Sequence, residues 1–526
     1  MRMTDLVARA LSVAVLLLFL TGTNTSASQR RDPPIPRPPA LTAALTDKPQ
    51  YVVMLVLDGA LPSYFKLADF PHLRGLIRTG TQYSRAWDGM LESETPTGHA
   101  TLGTGSLPRR HGVISFGWVT DRNVQQQPTN PIPLQHGQLE ELLHQSGVPS
   151  IASLLKQHDR SARVVVTSGH KDYAVDAVGG WAADYLMYYA VRNQIWTPLS
   201  IPRHVPPRSV LQAPGLTTYA PHLYPGQQDS LAVRLALTAF QQIHQRVTIV
   251  NLPEFDWPLG HLLGAGADRW MAWRLMVQLD NDVATIESTY AQARVLKKTL
   301  FVLTADHGML TLNHLIPHEV IQNAVKSAGA STSDYEFHSA GYLWIREPAK
   351  IPLVAEKLVA LHNPHILAVY YRQPHTYQYT RERDPLSHVS PALDGAYRFL
   401  LSTFAGPRAP HVVLFLTENT GISGRNQVGW RGDHGGPSWN AEHIPLVLSG
   451  PGVRMDVTSS YPATLYDVAP TVLSLLGVQP RGMDGVTLDD ALTNPDDAGV
   501  AAQQNRARNL DGIVQALIAR SQQDGR

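Results

Sequence analysis

Long apolar runs in this chain stop abruptly at carboxylates, glycines and histidines. Tyr51–Leu57 (YVVMLVL) has the length and β-branched content of a buried strand, and Asp58-Gly59 ends it. Residues 247–252 lead into Pro253-Glu254-Phe255-Asp256 and then Gly260-His261, and residues 300–303 lead into Thr304-Ala305-Asp306-His307-Gly308. His434 lies in the glycine-rich loop Gly432-Asp433-His434-Gly435-Gly436. Such strands, interleaved with helical patterns, predict an α/β fold: a doubly wound, mostly parallel sheet with helices on both faces. Ligands of such sheets bind beyond the carboxyl ends of the strands. The four clusters then converge on one edge, the arrangement a two-metal site requires.

The pattern also divides the chain. Residues 118–246 hold a long insert with Trp181, Tyr185, Tyr188, Tyr189 and Trp196, then a proline-rich stretch over 198–225, and are expected to form a cap over the metals. An aromatic, loop-rich cover can bind a nucleoside base or a lipid tail, and the same composition packs a cap onto a sheet. Within 310–410, a strand-helix-strand pattern over 340–345, 351–362 and 365–372 predicts an accessory unit. The catalytic domain is expected over 49–490, with a peripheral tail at 491–526 that ends in a helix over 513–521.

Composition narrows the function. The chain has 526 residues, enough for one large domain with insertions, and a formal charge of +1 from 44 basic and 43 acidic residues. No overall field favours nucleic acid or an anionic membrane, so binding must be local. The absence of cysteine removes disulfides, thiolate nucleophiles, sulfur-ligated metals and a lipoprotein anchor together. Arg2 and Arg9, an apolar segment over 10–20 and Thr25-Ser26-Ala27 fit a secretory signal over 1–27 and predict export to the periplasm or the extracellular space. The apolar segment is shorter than the ~20 residues a membrane span needs, and an uncleaved anchor is the competing reading. Residues 28–48, with DPPIPRPP at 32–39, read as an extended linker.

The segment 92–112 supplies the candidate nucleophile. Proline favours the first helical position, so Thr95 before Pro96 is expected to cap a helix, with its hydroxyl at an anion-binding helix start. A metal beside it would lower the hydroxyl's pKa. Taken singly, Thr-Pro reads as a helix cap, and Asp58-Gly59 or Asp306-His307-Gly308 as polar turns. Their combination after successive strands is what argues for a site.

Together these residues resemble the alkaline phosphatase superfamily. The resemblance rests on Asp58-Gly59, Thr95 four residues before His99, Leu102-Gly103-Thr104-Gly105, Asp256 with His261, Asp306-His307-Gly308 and His434-Gly435. The type I phosphodiesterase/nucleotide pyrophosphatase branch is the most similar. Residues 443–453 (HIPLVLSGPGV) and 467–477 (DVAPTVLSLLG) are similar to that family's closing strand and helix. The resemblance implies a first metal on Asp256, His261 and His434, and a second on Asp58, Asp306 and His307 with Thr95 bridging toward it. Two divalent ions are implied, zinc by the family, although Mn²⁺ or iron accepts the same ligands. Thr95 would form a threonyl-phosphate that water then hydrolyses, with Thr97 as rival nucleophile. A small-molecule phosphate ester is the implied partner, with no macromolecular nucleic acid. An exported, non-catalytic binding protein that keeps the fold is the reading from another class. The sulfatase motif Cys/Ser-x-Pro-x-Arg is missing around Thr95.

Three departures bear on substrate. Asp256 and His261 stand five apart where the family has four, which makes Glu254 a fallback ligand. Twenty-one residues after Thr95, where many relatives carry an Asn donor, this chain has Phe116. Where monoesterase relatives place Lys-x-Arg, it has Lys171 and Tyr173. Losing an amide donor and a guanidinium fork leaves a phosphate dianion less well neutralised. A phosphodiester or pyrophosphate is therefore expected in preference to a monoester, with Phe116, Lys171 and Tyr173 at the substrate. The alternative is that Phe116 and Tyr173 pack in the core while another segment clamps a monoester.

Overall fold

The computed structural model describes residues 48–524, apart from 118–136, 213–216, 219–225, 266–268, 338–339, 374–375, 387–388 and 424–428. The expected signal segment, nearly all of the linker, and Trp118 lie outside the described residues. Among the described residues no helix is long and apolar enough to cross a membrane.

The strands are β1 (Tyr51–Leu57), β2 (Gly80–Tyr83), β3 (Val164–Ser168), β4 (Tyr185–Arg192), β5 (Ile195–Ser200), β6 (Thr217–Thr218), β7 (Val247–Leu252) and β8 (Thr299–Thr304). With Leu446–Ser449 and Val457–Ser459 they form a ten-stranded sheet in the order Val457–Ser459, β2, Leu446–Ser449, β8, β1, β7, β3, β4, β5, β6. The central run β8-β1-β7-β3-β4 is parallel throughout, and antiparallel pairs begin on either side of it. Successive side chains of a strand point to opposite faces, so the burial of every residue from Val52 to Leu57 means that both faces of β1 are covered. That is why the run reads as apolar rather than alternating. Helices Gln227–Ile243 and Arg269–Gln292 join through Phe240 stacked on Tyr290, 4.0 Å between ring centroids.

The expected cap needs correction. β3, β4, β5 and β6 all fall inside 118–246 and extend the central sheet rather than lie over the site. The reason is the fully buried run of β3, which pairs in parallel with β7 from Val164 opposite Val247 to Ser168 opposite Asn251. Tyr189 and Trp196 are core residues packed with Val165, Leu231 and Leu235.

The accessory strands form a five-stranded sheet in the order Thr332–Phe337, Ala340–Ile345, Val412–Leu416, Ile366–Arg372, Tyr379–Arg381. The expected strand-helix-strand is present as Ala340–Ile345, Ile351–Val359 and Ile366–Arg372. Its two strands are not neighbours, because Val412–Leu416 inserts between them, antiparallel to both. The tail is not peripheral either. It is a 28-residue helix, Asp497–Asp524, whose Leu510, Val514 and Leu517 stand at i, i+4 and i+7 and bury against Tyr397, Leu401 and Phe404.

Candidate metal centre

Asp58, Asp256 and Asp306 follow three adjacent parallel strands, β1, β7 and β8, at their carboxyl ends. Asp58 leaves β1 directly and Asp306 stands two residues past β8, while the single turn Pro253–Phe255 carries the chain from β7 to Asp256. His434 arrives from Gly432–Asp433, a short strand paired with Leu310–Thr311. Two glycines allow the close approach: a Cβ at Gly98 would meet the Asp306 carbonyl oxygen at 2.2 Å, and one at Gly432 the Gly260 carbonyl oxygen at 2.2 Å. All of Asp58, Thr95, Lys171, Asp256, His261, Asp306, His307 and His434 are buried.

The five-residue spacing is absorbed locally. Asp256–Leu263 is a π-helical segment interrupted by extended backbone at Trp257 (φ −128°, ψ 116°), so the chain kinks between the two candidate ligands. His261 Nε2 thereby lies 3.1 Å from Asp256 Oδ1. Glu254 is corrected as a fallback ligand: its Oε2 accepts the backbone N–H groups of Gln228 (2.9 Å) and Asp229 (3.2 Å) at the start of a helix. Burial pushes its carboxyl up to about 7, against those backbone hydrogen bonds.

Three histidines share one arrangement. Nδ1 of His261 lies 3.0 Å from the Gly432 carbonyl, that of His434 3.0 Å from the Ser93 carbonyl, and that of His307 2.8 Å from the Gly308 carbonyl. A carbonyl only accepts, so each Nδ1 carries the donated proton, and in the neutral rings of His261 and His434 the Nε2 lone pair is directed at Asp256 Oδ1. Two acceptors then face each other at Asp256 and His261. Asp256 Oδ1 and Asp306 Oδ2 are buried with no hydrogen-bond partner. Acceptors that converge without donors between them fit a cation. His307 reports the same field: burial alone would lower it, yet the Asp306 and Asp58 carboxylates raise it to about 9.

Three sets of donor atoms each lie within 4.8 Å of one another: Asp256, His307 and His434; Asp58, His99 and Asp306; His261, Asp433 and His434. These sets regroup the ligands the resemblance implied, because His307 and His434 stack at 3.7 Å between ring centroids. They also add His99 and Asp433. His99 Nδ1 lies 3.1 Å from Asp306 Oδ2 and 2.9 Å from the Thr95 carbonyl.

Thr95 differs from expectation in detail. Its helix is Thr95–Thr104, Glu94 occupies the cap, and no side chain makes a capping hydrogen bond. The Thr95 hydroxyl instead faces the cluster, with Oγ1 3.4 Å from Asp58 Oδ1, 3.2 Å from His307 Nε2 and 3.1 Å from Lys171 Nζ. The rival Thr97 has a buried hydroxyl without a hydrogen-bond partner. The Lys171 ammonium also donates to Asp58 Oδ1 at 2.8 Å and Asp256 Oδ2 at 2.6 Å. Burial raises the Asp58 carboxyl, but Lys171 and the His307 hydrogen bond outweigh it and hold it well below the usual carboxylate range. Phe116 and Tyr173 are both half-buried and meet edge to face, 5.2 Å between centroids. Burial, with Asp58 and Asp256, raises the Tyr173 phenol against the pull of Lys171.

Asn251 had no place in the sequence reading. Its Nδ2 donates to Asp58 Oδ2 at 2.9 Å, and its Oδ1 accepts from Ser168 Oγ at 2.6 Å, which fixes the amide's orientation. The signal was present as an amide in the fully buried strand VTIVNL.

The fold and this buried carboxylate–imidazole cluster define an α/β protein built like the alkaline phosphatases. Alkaline phosphatase PafA superposes with a TM-score of 0.64 at 16% identity, over 85% of this chain and 99% of its own. Murine ectonucleotide pyrophosphatase / phosphodiesterase 5 gives 0.59 at 15%, over 84% of this chain and 100% of its own. Sequence similarity to curated proteins is local: alkaline phosphatase PhoD of Zymomonas mobilis is 25% identical over 134 residues, 23% of either chain. The chain belongs to the type I phosphodiesterase / nucleotide pyrophosphatase family, whose model matches residues 52–437.

Proposed function

We propose that the protein hydrolyses phosphoric esters at a two-metal centre, with Thr95 as nucleophile and a phosphodiester or pyrophosphate as preferred substrate. The observation that carries this reading is the Thr95 hydroxyl within 3.4 Å of Asp58, His307 and Lys171, in a buried cluster where Asp256 Oδ1 and Asp306 Oδ2 have no hydrogen-bond partner. Asp256, His261 and His434 would hold one ion, and Asp58, Asp306 and His307 the other. Bound there, divalent ions, zinc by family likeness, would lower the hydroxyl's pKa and neutralise charge on the phosphoryl oxygens. Thr95 Oγ1 attacks phosphorus in line with the departing alcohol, the P–O bond to that alcohol breaks, and water later cleaves the threonyl-phosphate.

Lys171 supplies one positive charge, already shared between Asp58 and Asp256, which suits a singly charged diester better than a dianion. Phe116 and Tyr173 would cover the second substituent. Export, with residues 1–27 as a signal, completes the proposal. The test is the ratio of kcat/KM for bis-p-nitrophenyl phosphate to that for p-nitrophenyl phosphate on zinc-loaded protein, with a chelated control. A ratio well above one, lost on chelation, is expected. A ratio well below one makes the protein a monoesterase, and no turnover of either ester favours a binding protein.

A further inference from the structure

Resting on that reading, we propose that Trp257 and Trp430 form a stacking subsite for a planar aromatic substituent of the phosphate ester, on the His261 side of the centre. Trp257 lies between the two ligands Asp256 and His261, in the segment lengthened by one residue, and its side chain remains 38% exposed. Its ring is 6.2 Å from His261 and 6.3 Å from Trp430, tilted by 48° and 52°. Trp430 lies 3.7 Å from the His261 ring at 37°. The backbone locks this arrangement: Arg431 N–H donates to the His261 carbonyl at 2.7 Å, and His261 Nδ1 lies 3.0 Å from the Gly432 carbonyl. The two indoles therefore have fixed places beside a ring whose Nε2 faces the acid cluster.

Core packing does not account for Trp257. A tryptophan that served the core would be covered, as Trp87 and Trp344 are at 0% and 2% exposure. Here a partly exposed indole stands within one ring contact of a candidate metal ligand. Indole faces hold planar π-systems through stacking, and they tolerate varied rings because every aromatic has a π-face. Aryl and nucleobase substituents share that chemistry, which a saturated ring of the same size lacks. The Phe116–Tyr173 contact involves neither of these indoles.

The experiment measures binding without turnover. Metal-loaded Thr95→Ala protein is titrated calorimetrically with phenyl methyl phosphate and with cyclohexyl methyl phosphate, and then with 5′-AMP methyl ester as the nucleobase arm. A phenyl preference of about tenfold is expected, reduced to near unity by adding Trp257→Ala and largely restored by Trp257→Phe. The nucleotide arm shows whether a base uses the same wall, because its affinity falls with Trp257→Ala if it does. Trp270→Ala, at an indole 59% exposed elsewhere, leaves the preference unchanged. Trp430→Ala is read with metal content, since its ring also rests on His261. Equal affinity for the two esters in the parent, or a preference that survives Trp257→Ala, overturns the subsite. Failure of the hydrolytic reading shows separately, as absent turnover by wild-type protein alongside an intact phenyl preference.

Discussion

The carboxyl end of the central sheet and the accessory sheet are made from similar apolar strands, but they treat their buried polar groups in opposite ways. In the accessory unit three such groups are matched in pairs: Tyr379 Oη donates to the Pro410 carbonyl at 2.6 Å, Tyr370 Oη to Asp394 Oδ1 at 2.6 Å, and Ile345 N–H to His411 Nδ1 at 2.8 Å. At the end of β1, β7 and β8, acceptors meet acceptors, and Asp256 Oδ1 and Asp306 Oδ2 have no donor. Leaving a buried acceptor unmade costs about 1–3 kcal/mol, so a fold keeps such groups where another ligand supplies the missing charge. The contrast separates a region whose polar groups satisfy one another from one that leaves acceptors open to a ligand.

Substitutions in the two regions should therefore fail differently. Thr95→Ala is expected to lower kcat/KM by at least about 10³-fold while leaving the melting temperature and metal content nearly unchanged. Activity retained by Thr95→Ala would move the nucleophile to Thr97. Phe415→Ala, in the accessory core against Tyr397 at 4.3 Å and Tyr370 at 5.3 Å, is expected to cost about 3–5 kcal/mol of stability. The folded fraction should still turn over substrate at the wild-type rate. A large loss of kcat in that variant, measured below its unfolding transition, would mean that the two regions are coupled. A smaller effect lies between the extremes: Asn251→Ala frees the Asp58 carboxylate from its amide, and metal affinity should fall about 10- to 100-fold by equilibrium dialysis. Unchanged affinity would reduce Asn251 to a core residue.

The sequence was most legible where one local rule acted alone. β1 and β7 begin and end where their apolar runs do, because strands buried on both faces show no competing periodicity. The convergence of Asp58, Asp256 and Asp306 was legible for the same reason: each carboxylate follows such a run. The insert was misread because its aromatic residues and prolines carry no information about a partner. Only the pairing of β3 with β7, a contact between residues about eighty apart in the chain, shows that it belongs to the sheet. Strand order in the accessory unit was hidden likewise, since Val412–Leu416 enters between two strands that precede it in sequence. The role of Thr95 as a cap failed on a finer scale, because its hydroxyl finds partners in the cluster rather than in its own helix.

The smallest expected effect tests whether matched hydrogen bonds alone separate scaffold from site. Asp282 lies on the long helix Arg269–Gln292 and accepts from Ser230 Oγ at 3.2 Å and Gln278 Nε2 at 3.2 Å. It is thus partnered like the accessory groups, yet burial pushes its carboxyl up to about 7 against those bonds. A carboxyl whose folded pKa lies above its unfolded value binds its proton more tightly when folded. Its contribution is therefore full below the unfolded value near 3.8, declines as pH rises toward 7, and is absent above that. Asp282→Asn removes the ionisation but keeps an acceptor for the two donors. The variant should match wild type at pH 4 and exceed it by on the order of 1 kcal/mol at pH 8 in denaturant titrations, with hydrolysis unchanged at both. Parallel stability curves for the two proteins would mean that Asp282 ionises at its ordinary pH inside the fold. Matched hydrogen bonds would then suffice to hold a buried charge, and the missing donors at Asp256 and Asp306 would be the whole of the difference between the two regions.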